Sequence, residues 1–299
     1  MARTVISSGG SGGGGTTLAP NTGNWASGTF GTGLIQMFSE AGSYTFTTTT
    51  TSIRVRVFGA GGGGSSNAGA AGGSGGGFAI NTFTVISGTS YTVTVGQGGA
   101  SNTAGGTSSF GSLISATGGL AGGNNTQVKL GGLGAGGIVN YYGGQSQGSY
   151  SGGGGVGSLF GKGNGGCYGN NSANIAGDPT FRSGGAGGGG SKSSTVNTSN
   201  RGANSDGTFG MIATGNFGGK TTTYGYDLFY SPAAPPTCID MIGTGPGGTN
   251  ENVGDGFNGG GGFGGYQRAG RGGWPGGGGG SSSQGSFGVG ANGLVIVEF

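Results

Sequence analysis

The stretch Ser52-Ile-Arg-Val-Arg-Val-Phe58 runs directly into Gly59-Ala-Gly-Gly-Gly-Gly64, and the same sequence pattern recurs along the chain. Ile53, Val55 and Val57 alternate with two arginines, a period of two that places three β-branched side chains on one face of a strand. The strand then enters glycine without an ordinary turn. The sequence therefore predicts strands that continue into polyglycine runs.

Glycine dominates the composition: 89 of the 299 residues are Gly, 31% are hydrophobic and 6% are charged. Proline plus glycine without a triplet period is typical of disordered chains. Two features favour a folded protein instead. The net charge is only +3, and Gly293–Phe299 has the composition of an apolar strand, which requires a sheet to receive it. Irregular glycine spacing excludes collagen, and no window has the 3.6-residue periodicity of a helix.

Charge and cysteine content exclude several classes of protein. Eleven basic against eight acidic side chains are too weak a balance for nucleic-acid binding. There is no transmembrane span and no signal-peptide pattern at Met1–Gly15, so we expect a soluble protein without membrane insertion. Cys167 and Cys238 are expected to be free thiols, with a single disulfide as the alternative.

The pattern divides the chain into three parts. Residues 1–42, with a Gly-Ser spacer and scattered apolar residues, are expected to be an attachment segment. Residues 43–117 have regular strand patterning and predict a small antiparallel β-sandwich, completed by residues 291–299. Within it, Phe78–Ile86 and Ser90–Val95 are expected to form a hairpin. Residues 118–290 are then an insertion between two neighbouring strands.

Glycine runs alternate with blocks of mixed sequence inside the insertion. A glycine run loses much backbone entropy on folding and has no side chain to bury, so only backbone hydrogen bonds to close neighbours can order it. Polyproline II geometry, with three residues per turn, allows such lateral bonds. The predicted fold class is all-β, a small antiparallel β-sandwich with an insertion of packed polyglycine II helices. Mixed blocks such as Val139–Tyr150 and Lys220–Ile242 are expected to be loops at the ends of the bundle. The alternative to packed runs is that the glycine runs are flexible linkers.

Two motifs resemble nucleotide-binding loops, and both are incomplete. Gly59–Gly64 satisfies G-x-G-x-x-G after a strand, but neither a helix nor an acidic residue follows where a dinucleotide site requires one. Thr214–Thr221 has a misplaced first glycine for a P-loop. The chain has no histidine and its carboxylates are scattered, so we expect no enzyme, no metal site and no cofactor.

Aromatic residues in the mixed blocks are the candidate binding residues. Rigid rings among Gly, Ser, Asn and Thr are the composition of a recognition surface, and Pro232, Pro235 and Pro236 stiffen one of these loops. The alternative is that the rings are the insertion's only apolar material and plug its ends. The candidates are Tyr141, Tyr142, Tyr150, Tyr224, Tyr226, Phe229 and Tyr230.

The order of these pieces resembles a glycine-rich domain of bacteriophage tail and tail-fibre proteins. The matching segments include Ser43–Phe46, Thr51–Gly64, Thr89–Gly96 and Gly293–Glu298. The insertion resembles, in composition and alternation, the adhesins that cap the long tail fibres of T-even-like phages. In those adhesins polyglycine II runs carry variable loops that bind the host receptor. The resemblance implies a virion protein of the tail or fibre.

Two functions follow from this resemblance as expectations. The first is a phage tail-fibre or receptor-binding component whose loops bind a host cell-surface receptor, either a glycan or an outer-membrane protein. Residues 1–42 would attach it to other virion tail proteins. The second is a structural virion protein of the baseplate, tail tip or capsid, whose loops contact other subunits. A glycine-rich ice-binding or cell-surface protein is a third class, and a homo-oligomer is compatible with all three.

Overall fold

A computed structural model describes residues 21–23, 34–66, 71–123, 129–146, 151–166, 255–256, 259–262, 264, 268–282 and 287–299. These residues form β-strands, turns and extended glycine runs, and none of them is helical. The prediction of an all-β protein is therefore confirmed. Within these ranges there is also no helix that could span a bilayer.

In the described residues, eleven strands build two antiparallel sheets. Their bounds are β1 Asn21–Gly23, β2 Ile35–Phe38, β3 Gly42–Thr47, β4 Ser52–Phe58, β5 Phe78–Thr84, β6 Ser90–Val95, β7 Ser108–Phe110, β8 Ile114–Ala116, β9 Gly134–Ala135, β10 Val139–Tyr141 and β11 Leu294–Glu298. The six-stranded sheet has the order β1-β2-β11-β4-β5-β10, and the five-stranded sheet has the order β3-β6-β7-β8-β9.

The hydrophobic core lies between the two sheets. Ile53, Val55 and Val57 of β4 are fully buried in it, as their alternation predicts. Strand β11 lies between β2 and β4, with Val295 opposite Val57 and Val297 opposite Val55. The expected closure of the sandwich by the last residues of the chain is therefore confirmed.

The predicted hairpin of Phe78–Ile86 with Ser90–Val95 is wrong. Strand β5 pairs with β4 in one sheet, whereas β6 pairs with β3 in the other, so the chain crosses between layers at residues 85–89. The hydroxyl of Thr48 donates to Ile86 O at 2.7 Å and to Thr89 O at 3.2 Å, which holds the crossing against the β3–β4 connection. The turn residues were identified correctly, but long-range pairing determines which sheet each strand joins.

The glycine run 59–65 continues β4, and its backbone bonds follow a period of three. Successive N–H groups donate in turn to three different neighbouring segments, and residues that are three apart donate to the same segment. Such a pattern is that of polyglycine II, in which each residue points about 120° from the last. The bonds include Gly62 N to Ser74 O at 2.9 Å, Gly63 N to Thr103 O at 3.0 Å and Gly64 N to Gly288 O at 2.9 Å.

Three further neighbours donate to the carbonyl groups of the same run. These are the segments 97–102, 118–123 and 276–282, with bonds such as Gly99 N to Gly61 O and Gly279 N to Gly62 O, both at 2.9 Å. Run 59–65 is therefore surrounded on six sides. The neighbouring backbones are so close that a Cβ atom added at Gly62 would lie 2.1 Å from Leu120 O. Only glycine, which has no side chain, allows this approach.

Runs 71–77 and 276–282 are bonded to run 59–65 and to each other, and together they form the centre of the bundle. The runs 59–65 and 71–77 join β4 to β5, outside the insertion expected at 118–290. Segments 96–106, 117–123 and 129–132 similarly extend β6, β7, β8 and β9. The bundle thus extends one end of the sandwich. It is built from many short segments that connect one strand to the next.

Candidate functional site

The end of the bundle that lies away from the strands is here called the distal end. It is formed by five neighbouring segments: 59–66, 71–77, 118–123, 151–157 and 276–282. Ser65 N donates to Ala71 O at 3.2 Å, and Ala71 N donates to Gly123 O at 3.1 Å. Ser282 N donates to Ser65 O at 3.0 Å, and Gly72 N donates to the Oγ of Ser151 at 2.9 Å. These bonds place the five segments at one level.

Buried serines replace glycine at this level or, in the case of Ser74 and Ser146, within about one turn of the bundle below it. Their hydroxyls bond to backbone groups of neighbouring runs, for example Ser74 Oγ to Lys129 O at 2.8 Å and Ser281 Oγ to Ser151 O at 3.1 Å. Where a neighbouring glycine run ends, a backbone group loses its hydrogen-bond partner. A serine hydroxyl can take that partner's place, whereas an added methyl group cannot. Sequence reasoning missed these residues, although several glycine runs change to serine at their distal end. The buried serines are Ser65, Ser74, Ser146, Ser151, Ser281 and Ser282.

Some of the residues outside the described ranges adjoin this end in the sequence, whereas 24–33 and 257–258 adjoin described residues elsewhere. Residues 67–70 follow Ser66, and residues 124–128, 147–150 and 283–286 lie in the sequence between described residues at or near the distal level. The longest segment, 167–254, follows Gly166, whose N donates to Gln145 O at 2.8 Å beside Ser146. On its other side Asp255 accepts a bond from Arg271 N at 2.7 Å, on the flank of the bundle.

Two of the candidate aromatic residues lie at the opposite end, where the bundle joins the strands. Tyr141 ends β10 opposite Phe78, is half-buried, and packs against the apolar cluster that contains Phe58 and Phe78. Tyr142 forms a bridge with Leu133 and is 55% exposed. The block Val139–Tyr150, expected to be a loop, instead begins with an edge strand and continues as a bundle segment to Ser146. Tyr142 is four residues from that distal serine, which corresponds to about 12 Å along the bundle.

The remaining candidates lie outside the described residues: Tyr150, Tyr224, Tyr226, Phe229 and Tyr230. Their flanking residues are described, however. Tyr150 immediately precedes Ser151, and the other four belong to segment 167–254, which starts from Gly166 at the distal end. Cys167 and Cys238 lie outside the described residues as well.

The described part of the distal end is polar and carries little charge. Its backbone amides and serine hydroxyls bond to one another, and the Lys129 side chain lies close to Gly123 at its rim. In the described ranges no three Cys, Asp or Glu side chains come together as a metal site.

A family model described as a glycine-rich domain matches residues 36–299. The chain belongs to the glycine-rich domain family. The glycine-rich domain so defined begins in β2 and contains the bundle and every described strand except β1, so strands and glycine runs form one family unit. It excludes residues 1–35. No curated protein matches the chain.

Proposed function

We propose that this glycine-rich domain protein is a tail-fibre or receptor-binding component of a bacteriophage virion, and that segments starting at the distal end attach it to the host surface. The observation that supports this most strongly is a bundle whose central run 59–65 is hydrogen-bonded to neighbours on six sides, with the residues that precede Cys167 and follow Tyr150 in the sequence, Gly166 and Ser151, held at its distal end. A rigid base with variable segments at one end is the arrangement of many binding proteins.

The bundle holds both flanks of the short segment 147–150, which contains the candidate Tyr150, so this segment would lose less entropy on binding than a free chain. The bundle's central glycine runs have neighbours so close that a single added carbon would overlap a carbonyl oxygen. Preorganisation of this kind favours affinity, since less freedom is lost when the partner is bound. The absence of histidine from the sequence favours binding over acid–base catalysis.

Segment 167–254 contains the proposed receptor-binding residues Tyr224, Tyr226, Phe229 and Tyr230. Tyrosine offers a large, rigid ring with a polar end, and it stacks on sugars or exposed apolar side chains with little loss of rotamer freedom. The proposed partners are a surface glycan or an outer-membrane protein of the host, with residues 1–42 attached to other virion proteins.

The test is binding of the fluorescently labelled full chain to a panel of Gram-negative bacterial strains, measured by flow cytometry. We expect saturable binding to at least one strain, and loss of that binding when Tyr224, Tyr226 and Tyr230 are all replaced by Ser. The control is Ile86→Ser, which replaces an exposed apolar side chain of the sandwich that is not a binding candidate and should bind like the parent. Thermal melts establish that each variant is folded.

Two outcomes would contradict the proposal. If the triple variant binds cells as the parent does, the segment Tyr224–Tyr230 is not the receptor site. If the parent binds no strain but is retained by purified phage tails or capsids, the structural virion role replaces the receptor-binding one.

A further inference from the structure

Strand β3 forms the free edge of the five-stranded sheet and pairs only with β6. The backbone of Ser43, Thr45 and Thr47 points away from the sheet. This follows from the ladder, because Thr48 N donates to Thr89 O at 2.9 Å and even-numbered residues of β3 therefore face β6. In the described part of the chain, no group bonds to these outward N–H and C=O groups.

Among the described residues, this edge has none of the usual features that prevent pairing with another strand. Gly42–Thr47 contains no charged residue and no proline, and it pairs with β6 in continuous register without a bulge. The other edge strands, β1, β9 and β10, have only two or three residues each, whereas β3 has six. An exposed, uncharged strand of this length favours the addition of another strand.

The adjoining face of the sheet is uncharged and made of hydroxyl side chains. Ser43, Thr45 and Thr47 point outward beside Thr94, Thr92 and Ser90 of β6. The first three are exposed, and Thr47 Oγ1 lies 2.9 Å from Ser90 Oγ. A strand that extends this face would therefore meet neither a charge nor a bulky side chain.

We infer that a second copy of this chain pairs with β3 through its own β3, antiparallel and centred on Thr45. In this register Ser43 lies opposite Thr47 of the other copy, and the outward groups of both copies make about six hydrogen bonds across the two-fold axis. The nearest charge, Glu40, falls opposite Thr50 rather than another carboxylate, so the pairing brings no like charges together. Each copy uses the same edge in this contact, so two copies form a closed dimer that cannot extend into a fibre.

Sedimentation velocity of the full chain over a concentration series tests this. We expect a concentration-dependent monomer–dimer equilibrium. Thr45→Pro removes the central outward N–H while leaving the bonds to β6, and it should raise the dimer Kd by about tenfold or more. Thr45→Lys, which introduces two like charges at the axis, should do the same and serves if the proline variant fails to fold. The matched control Thr92→Lys places the same charge on the same face, one strand from the edge, and should leave the dimer largely intact.

A chain that stays monomeric at every concentration overturns the inference, and a strand of a different protein becomes the occupant to seek. A dimer that both Thr45 variants leave unchanged also overturns it, because another surface then holds the copies together. Cell binding is measured independently of this result, so failure of the dimer does not decide the proposed receptor-binding role.

Discussion

Glu298 lies directly opposite Arg54 across the β11–β4 ladder, although 244 residues separate them in the sequence. The Nε of Arg54 donates to Glu298 Oε2 at 3.1 Å, and Arg56 Nη2 lies 2.8 Å from Glu298 Oε1. The carboxylate is 2% exposed, whereas the two arginines are 25% and 13% exposed. These two alternating arginines of β4 thus form ion pairs on the outer face of the six-stranded sheet.

We expect Glu298→Gln to lower the free energy of unfolding by about 2–4 kcal/mol, because removal of one member of a buried ion pair leaves the remaining charge poorly compensated. Chemical denaturation measures the change. Glu40→Gln is the matched control, since Glu40 is exposed, and it should change stability by less than about 0.5 kcal/mol. Equal effects of both substitutions would contradict a stabilising role for the Glu298 ion pairs.

The central runs of the bundle should not tolerate even a methyl group. A Cβ at Gly278 would lie 2.2 Å from Gly73 O, so Gly278→Ala should destabilise by about 3 kcal/mol or more, and Gly278→Val by more still. At Gly123 an added Cβ meets only the Lys129 side chain, at 3.0 Å. Gly123→Ala should therefore cost less than about 1 kcal/mol. Thermal unfolding of the two alanine variants compares the positions, and matching melting temperatures would exclude tight packing at Gly278.

Tyr141 and Tyr142 are neighbours in sequence but should differ in their effect on stability. Tyr141 packs against the cluster around Phe58 and Phe78, so Tyr141→Ser should cost about 2–4 kcal/mol through lost packing. Tyr142 is exposed, and Tyr142→Ser should cost less than about 0.5 kcal/mol. Denaturant titration of both variants checks the difference, and the reverse order would show that the exposed ring has the structural role.

Tyr44 should make stability depend on alkaline pH. Partial burial, and secondarily the charge of Glu40, raise the pKa of Tyr44 above its ordinary value of 10.0. The folded state then holds this proton more tightly than the unfolded state, so the stability conferred by Tyr44 is present below pH 10.0 and is lost as pH rises through the folded pKa. Tyr44→Phe should remove that part of the decline, which denaturation at a series of pH values would detect. Parallel curves for parent and variant would show that Tyr44 ionisation is not linked to folding.

Local patterns predicted the strands well. The alternation of Ile53, Val55 and Val57 identified a strand with one buried face, because a period of two leaves few other structures for β-branched residues. The apolar segment at Leu294–Glu298 required a sheet to cover it, and the structure provides one between β2 and β4. The need of glycine runs for lateral backbone bonds likewise followed from the chemistry of the peptide group alone.

Apart from the closing strand β11, the sequence did not reveal which elements are neighbours. Strands β5 and β6 join different sheets, and run 59–65 lies at the centre of the bundle rather than outside it, because partners far along the chain determine both. Glycine has no side chain to distinguish one run from another, so its bonding partners have no local signature. Arg54 and Glu298 could be recognised as a pair only from the adjacency of β4 and β11 in the folded chain. The buried serines could be recognised only from the position of the distal end of the bundle. Local sequence determines the backbone geometry each segment can adopt, whereas the close contacts of the folded chain select which segments meet.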